Sequence, residues 1–556
     1  MVSMKNSEKY EKNYFVPPVM EYSWHKKNSI ESPPLWCSVD LRDGNQALIT
    51  PMSLSDKIEF FKLLVSIGFK DIEIGFPAAF ETEYVFCRKL IEENLIPSDV
   101  RIQVLTQARE HIIDKTFAAL EGAKNAVVHV YNSTSKVQRD MVFRKSQKEI
   151  LEIASLGAKM LAEKAAKTKG NFTFEYSPES FSNTEPEYAL EVINEVLSVW
   201  KPTKKNPSII NLPDTVQLSM PHVYANQVEY ISRNINNRES VILSLHPHND
   251  RGCSVAAAEL GVLAGGDRVE GTLFGNGERT GNVDLMILAL NLYMHGVDPK
   301  LDFSSVPKLV EAYEKVTDLP VHPRHPYAGQ LVFTAFSGSH QDAIAKGFSW
   351  RKEKKSKTWA VPYLPIDPVD IGKNYDKDVI RINAQSGKGG IGYLLENNYG
   401  YNLPKEMREE FSYFVKSVSD KEHRELDGIR ILALFKDEYV NIKDPIQFVE
   451  YTSSKKGEVV SANIVLKKNG KLLEASGESN GVLDAVAIAL DKALGLKYND
   501  MAYFKHALES GSKARAAAYV GIEYKKGSKK VWGCGVDSDI VTASIQALVG
   551  AVNRTK

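Results

Sequence analysis

From residue 35 to about 298 one unit recurs eight times: a short apolar, β-branched run, a polar or glycine-bearing stop, then a longer stretch of helical periodicity. The strand candidates are LWCSVDLRDG (35–44), DIEIGFP (71–77), RIQVLT (101–106), NAVVHVYNS (125–133), FTFEYSPE (172–179), SIINLPDT (208–215), SVILSLHPHND (240–250) and RVEGTLFGNGERTGN (268–282). Between the first two, SLSDKIEFFKLLVSIG places Ile58, Phe61, Leu64 and Val65 on one helical face and Gly68 where a C-cap belongs. An open doubly wound sheet usually has five or six strands, so eight βα units predict a (β/α)8 TIM barrel.

The barrel accounts for residues 35–298, after an N-terminal arm (1–34). Residues 299–425 read as a helical linking region with proline-rich connectors such as VHPRHPYAG and VPYLPIDPVD. From 426 to 556 the pattern is α+β, read as two βββα halves: strands IRILALF, IQFVEYTSS and VVSANIVLKKNGKLLEASGE before a helix at about 482–494, then a helical connector, AAAYVGIEYKKGSKKVWGCGVD, and a helix at about 538–552. The 70 basic and 70 acidic residues cancel, which argues against nucleic acid or an acidic membrane surface as partner. No apolar stretch suits a signal peptide or a membrane span, and four scattered cysteines without CxxC spacing suit a reducing cytoplasm.

In a barrel the C-terminal ends of the strands converge on one mouth, and there the polar residues cluster. His246 and His248 lie two apart on a strand, on one face, about 6–7 Å apart by strand rise, which is chelating distance. The following Asn249-Asp250 reads as a helix N-cap. Asp43 would supply a carboxylate at the end of strand one; on its own Arg42-Asp43 reads as an ion pair at a turn, and only the barrel brings it to the histidines. Two imidazoles and a carboxylate suit Mg²⁺, Mn²⁺ or Zn²⁺, with about three positions left open for water or substrate. GNGERTGN (275–282) lacks both P-loop and dinucleotide signatures, but its backbone N–H groups and Arg279 suit a phosphate-bearing carrier.

LWCSVDLRDGNQALITPMS, FEYSPESFSNTE, NLPDTVQ, LHPHNDRGCSVAAAELG and GTLFGNGERTGNVDL, in that order, resemble the 2-isopropylmalate synthases, and the likeness continues through GSHQDAIAKG, VPYLPIDPVDIG and RAAAYVGI. Single motifs are shared with homocitrate and citramalate synthases and hydroxymethylglutaryl-CoA lyase. The resemblance implies a leucine-pathway acyltransferase that condenses acetyl-CoA with 3-methyl-2-oxobutanoate. It implies metal ligands Asp43, His246, His248 and Asn282, with Mg²⁺ foremost. Arg42, Glu179, Glu278 and His340 would be catalytic, the last acting across a homodimer. Leu105, His129, Ser177 and Thr215 would hold the oxo acid, while Gly275, Asn276, Gly277, Arg279 and Gly281 would take acetyl-CoA. K⁺ activation stays open, as does the choice of base between Glu179 and His340 assisted by Glu278. L-Leucine would bind the C-terminal domain near Asn480, Gly481, Ala516 and Ala518. There the family's glycine-rich run is replaced by Gly477-Glu478-Ser479-Asn480-Gly481, which adds a charge and a side chain where the effector would approach.

Overall fold

The computed structural model describes all 556 residues except 1–5, 13–14, 19, 336, 376–387, 423–425, 427, 496–497, 509–513 and 556. Parts of the expected arm and linking region therefore lie outside the described residues. The chain divides into two compact units, one of residues 1–332 with 370–373, the other of 333–369 with 374–556.

The first unit is a closed barrel of eight parallel strands: β1 (Leu35–Ser38), β2 (Asp71–Gly75), β3 (Arg101–Gln107), β4 (Asn125–Ser133), β5 (Asn171–Glu179), β6 (Ser208–Asp214), β7 (Val241–Pro247) and β8 (Arg268–Gly271). Closure is made where β1 pairs with both β2 and β8. The strands β1, β2, β7 and β8 are shorter than their expected runs. Residues Asp40–Gly44 leave β1 as a π-helical turn, and the glycine-rich segment after Gly271 is loop and a 3-10 turn. Asn249-Asp250 is not the cap position; the next helix, Ser254–Leu263, has Cys253 there, although Asn249 Oδ1 accepts the Ser254 N–H at 3.2 Å. Gly68 does end the first barrel helix, Leu54–Ile67, in a left-handed conformation at φ +115°. That helix buries Lys57, Phe60, Phe61, Leu64 and Ile67, a face rotated from the expected one.

The inward strand positions are polar in the barrel's middle. Arg268 on β8 is fully buried and spans the interior, reaching Asp71 on β2, Glu175 on β5 and Glu270 on its own strand.

In the second unit IRILALF is not a strand but part of the helix Gly428–Tyr439, whose buried Ile431, Leu434, Phe435 and Tyr439 follow helical spacing. Each half still has three strands. The first sheet is β9 (Ile446–Lys456), β10 (Val459–Lys468) and β11 (Lys471–Ser479), ordered 11-10-9, with the helix Val482–Leu494. The second is β12 (Asp500–Ala507), β13 (Ala516–Glu523) and β14 (Val531–Asp537), ordered 12-13-14, with the helix Ile540–Asn553. The expected helical connector is thus in part β12, paired antiparallel along β13. No helix among the described residues is long and apolar enough to cross a membrane.

Candidate active site

The π-helical turn after β1 carries Arg42 and Asp43. It is gathered on one acceptor, the Val39 carbonyl, which takes the N–H groups of Arg42, Asp43 and Gly44 at 3.2, 2.9 and 3.2 Å. π-helical segments are rare and concentrate at functional sites. Arg42 Nη1 donates to Asp43 Oδ1 at 2.8 Å, and its Nε is paired with Glu73 from β2. Asp43 is thereby aimed across the mouth at β7, where the His246 and His248 rings stack with centroids 5.2 Å apart. Asp43 Oδ2 lies 3.5 Å from His246 Nε2 and 3.9 Å from His248 Nε2.

Potential ligand atoms from these three buried residues all lie within 4.8 Å of one another. Asp43 Oδ2 and His248 Nδ1 are buried without a hydrogen-bond partner. Buried polar atoms are normally paired, so this donor set fits a cation. Asn282 belongs to the same cluster: its Oδ1 is 2.9 Å from His246 Nε2, and its backbone bridges to His248. On the far side of the His246 ring, Nδ1 contacts Glu270 at 3.1 Å. That is the outer carboxylate which commonly fixes the tautomer of a metal-binding imidazole.

Around this cluster lies a cavity of about 220 Å³. Arg42, Asp43, Leu105, His129, Ser177, Glu179, Thr215, His246, His248, Glu278 and Arg279 all line it, so residues from seven separate chain segments meet there. His129 is gripped from both sides, Nδ1 by Glu73 at 2.8 Å and Nε2 by Ser177 Oγ at 2.7 Å. Glu179 accepts the Ser133 hydroxyl, Glu278 accepts from Gln46 Nε2 at 3.3 Å, and Thr215 Oγ1 accepts the Ser180 N–H at 3.1 Å.

Some of the donors of the glycine-rich loop are taken up within the protein. Arg279 is clamped to Asp250 through Nε and Nη2 at 2.8 and 3.0 Å, and the Gly281 and Asn282 N–H groups bond to Glu278 and Gly275 carbonyls. Asn276 Nδ2 donates to the Gly44 carbonyl at 3.0 Å, tying the loop to the turn after β1. Gly281, at φ +92°, is required because a Cβ there would come within 1.8 Å of the Gly275 oxygen.

Comparison with known proteins decides the family. The HMGL-like family model matches residues 34–312, the alpha-isopropylmalate synthase post-catalytic domain-like model 330–396, and the LeuA allosteric (dimerisation) domain 426–556. The 2-isopropylmalate synthase of Helicobacter hepaticus is 59% identical over 554 residues, covering 98% of this chain and 99% of its own. That of Desulfitobacterium hafniense is 58% identical over 550 residues, at 99% and 98% coverage, and that of Clostridium acetobutylicum 54% over 545, at 96% of both. The chain belongs to the 2-isopropylmalate synthase family.

In this family member the charge states around the cluster follow from burial and pairing. Burial alone would raise the Asp43 carboxyl, but Arg42 and the two imidazoles hold it well below the usual carboxylate range. Burial works against His246 too, yet contacts with Asp43 and Glu270 push it up to about 9. His248 goes the other way, to about 4, because burial and its charged neighbour His246 both disfavour a second cation.

Sequence reasoning missed Gln46, Tyr131, Asn211 and Pro213 in the cavity wall, and Glu73 and Glu270 behind it. A signal existed for the last two. Asp71 and Glu73 in DIEIG, and Arg268 and Glu270 in RVEG, put charges at alternate positions of otherwise apolar strands, the mark of a polar barrel interior.

The remaining expected residues lie in the second unit. His340, on the helix Gly338–Lys354, stacks its ring on Tyr363 at 3.9 Å. Gly477 packs so closely on the helix Val482–Leu494 that a Cβ would meet the Ala485 oxygen at 2.1 Å. By strand alternation Ser479 shares that face and Glu478 points to the other, where it accepts the Ser461 hydroxyl at 2.9 Å. Asn480 and Gly481 form the approach to this helix, while Ala516 and the fully buried Ala518 lie on β13.

Proposed function

We propose that this chain condenses acetyl-CoA with 3-methyl-2-oxobutanoate and hydrolyses the thioester formed, giving (2S)-2-isopropylmalate and CoA, the first committed step of leucine synthesis. The observation that carries this reading is the Asp43–His246–His248 cluster, buried with unpartnered ligand atoms at the mouth of a barrel whose whole chain aligns with 2-isopropylmalate synthases. Asp43, His246 and His248, with Asn282 beside them, would hold a divalent ion, Mg²⁺ foremost and Mn²⁺ or Zn²⁺ also suited by the donor set. When bound, the ion supplies Lewis acidity toward a keto oxygen.

The chain's own residues do the rest. A cavity of about 220 Å³ suits a small branched oxo acid, whose carboxylate Thr215 would hold while Leu105, His129 and Ser177 line the pocket. A base takes a methyl proton from the acetyl thioester. The candidates are Glu179, or His340 assisted by Glu278. The enolate carbon then bonds to the keto carbon, and the electron pair of that carbonyl moves to its oxygen, where the Arg42 guanidinium stabilises the negative charge. Water then cleaves the thioester and CoA leaves as the thiol. Acetyl-CoA would approach along the 275–282 loop. Homodimerisation, leucine feedback through the C-terminal domain and a cytoplasmic setting belong to the same proposal, supported by the match to the LeuA allosteric (dimerisation) domain.

The test is a free-thiol assay of CoA release with 3-methyl-2-oxobutanoate, pyruvate and 2-oxoglutarate offered in turn, with and without Mg²⁺ and leucine. Metal-dependent release with the branched acid, suppressed by leucine, is expected. Preference for pyruvate or 2-oxoglutarate would reassign the substrate, and release unaffected by leucine would remove the regulatory part.

A further inference from the structure

The buried face of the first barrel helix contains a lysine. Lys57 has no side-chain exposure, and two groups take up its ammonium: the Leu41 carbonyl at 3.1 Å and Glu83 Oε1 at 2.5 Å. Leu41 lies inside the π-helical turn, immediately before Arg42 and Asp43. Glu83 comes from the helix Glu81–Glu92 of the next βα unit. Its other oxygen, Oε2, has no hydrogen-bond partner and lies over Gly75, where a Cβ would come within 1.6 Å. Gly75 closes β2, two residues beyond the Glu73 that pairs with Arg42.

A continuous strut thus runs from the end of β2 through Glu83 and Lys57 to the Leu41 carbonyl. Burying an ion pair is costly, and an apolar pair of similar volume would fill the same space at least as well. What an apolar pair would not supply is a donor for a carbonyl in a turn whose N–H groups already converge on Val39. We propose that Lys57 and Glu83 are positioning residues that fix the Leu41–Asp43 segment, so that Asp43 Oδ2 faces the two imidazoles in advance of the metal. This rests on the metal reading given above.

The test is Mn²⁺ affinity, by chelator competition on the full chain, for the parent, K57M, E83Q and the double variant K57M/E83M, each with its melting temperature. The double variant leaves no buried charge unpaired and guards against a K57M that fails to fold. E83Q keeps an acceptor for Lys57 and is expected to bind Mn²⁺ like the parent. The double variant is expected to regain thermal stability yet bind Mn²⁺ about 10-fold or more weakly, the usual consequence of losing an outer-shell support. Parent-like affinity in the double variant would overturn the proposal, because the pair would then serve stability alone. If the parent itself binds no Mn²⁺, the metal reading has failed instead, and hydrogen exchange at the amides of Arg42, Asp43 and Gly44 decides. Faster exchange in the double variant than in the parent would sustain the strut, and unchanged exchange would overturn it.

Discussion

The barrel interior has two levels built from similar residue types and finished differently. In the lower one Arg268 uses every N–H it has: Nε to Ser244, Nη1 to Asp71 and Gln103, Nη2 to Glu175 and Glu270. At the mouth, Asp43 Oδ2, His248 Nδ1 and Asn211 Oδ1 are buried and have no partner. An unpaired buried polar atom costs about 1–3 kcal/mol. The lower level has an open atom too, Glu175 Oε1, but there the arginine's donors are all taken, whereas the mouth leaves several ligand-type atoms open together, as a site for something that binds would. The lower level should therefore govern stability, and the mouth activity.

The largest expected effect comes from the mouth. Replacing Asp43 by Ala removes a metal ligand and one partner of Arg42. Turnover in the CoA-release assay should fall by about 10³-fold or more, the scale of losing Lewis-acid assistance worth several kcal/mol. Its melting temperature should stay near the parent's, since Arg42 retains Glu73. An unfolded D43A would break the comparison, showing the mouth to be structural as well.

Arg268→Met asks the converse. It leaves Asp71, Glu175 and Glu270 facing one another in a buried space, and removing one partner of a buried ionic cluster typically costs about 3–5 kcal/mol. Urea unfolding of the metal-free protein should show that loss. A variant as stable as the parent would mean that the lower level is not what holds the barrel.

The two levels differed in legibility too. Asp43, His246, His248 and Asn282 were visible because they stand in short polar motifs at strand ends, and the eight-unit count placed those ends on one mouth. Arg268, Glu73 and Glu270 stand at alternate positions of otherwise apolar strands, which marks a polar interior, but nothing in the local pattern says which of them meet across the barrel. The IRILALF segment misled for a related reason. A short β-branched run suits strand or helix alike, and the packing of Ile431, Leu434 and Phe435 with Tyr519 and Trp532 settles it as helix. Lys57 carries no such mark in the sequence, because a lysine beside apolar helix positions is ordinarily solvated, whereas here a carbonyl and a carboxylate take it up inside.

Glu270 joins the levels, since one oxygen bonds Arg268 and the other faces His246 Nδ1. Glu270→Gln keeps the shape and removes the charge. Mn²⁺ affinity, measured by chelator competition, should fall about 10- to 100-fold, as for other outer-shell partners of ligating histidines. Unchanged affinity would separate the levels completely and assign Glu270 to the lower one.

The smallest effect concerns the proton in the lower level. Burial pushes the Glu175 carboxyl well above its ordinary range, against the pull of Arg268 and with Glu270 adding to the rise. Arg268 and His246 hold Glu270 well below its own range despite burial. The proton of this pair therefore resides on Glu175. Above the unfolded glutamate value of about 4.3 the unfolded chain has lost that proton while the folded chain retains it, so this group makes stability fall as pH rises, up to its raised folded value. Glu175→Gln keeps a neutral side chain and has no proton to lose. Its unfolding free energy, from urea titrations of the metal-free protein between about pH 5 and pH 6, should gain on the parent's as pH rises, by up to about 1.4 kcal/mol across that unit. A gap that stays constant with pH would place the proton elsewhere. A gap that grows while the variant's CoA release stays near the parent's would show that the lower level's charge state serves the fold and leaves the chemistry to the mouth.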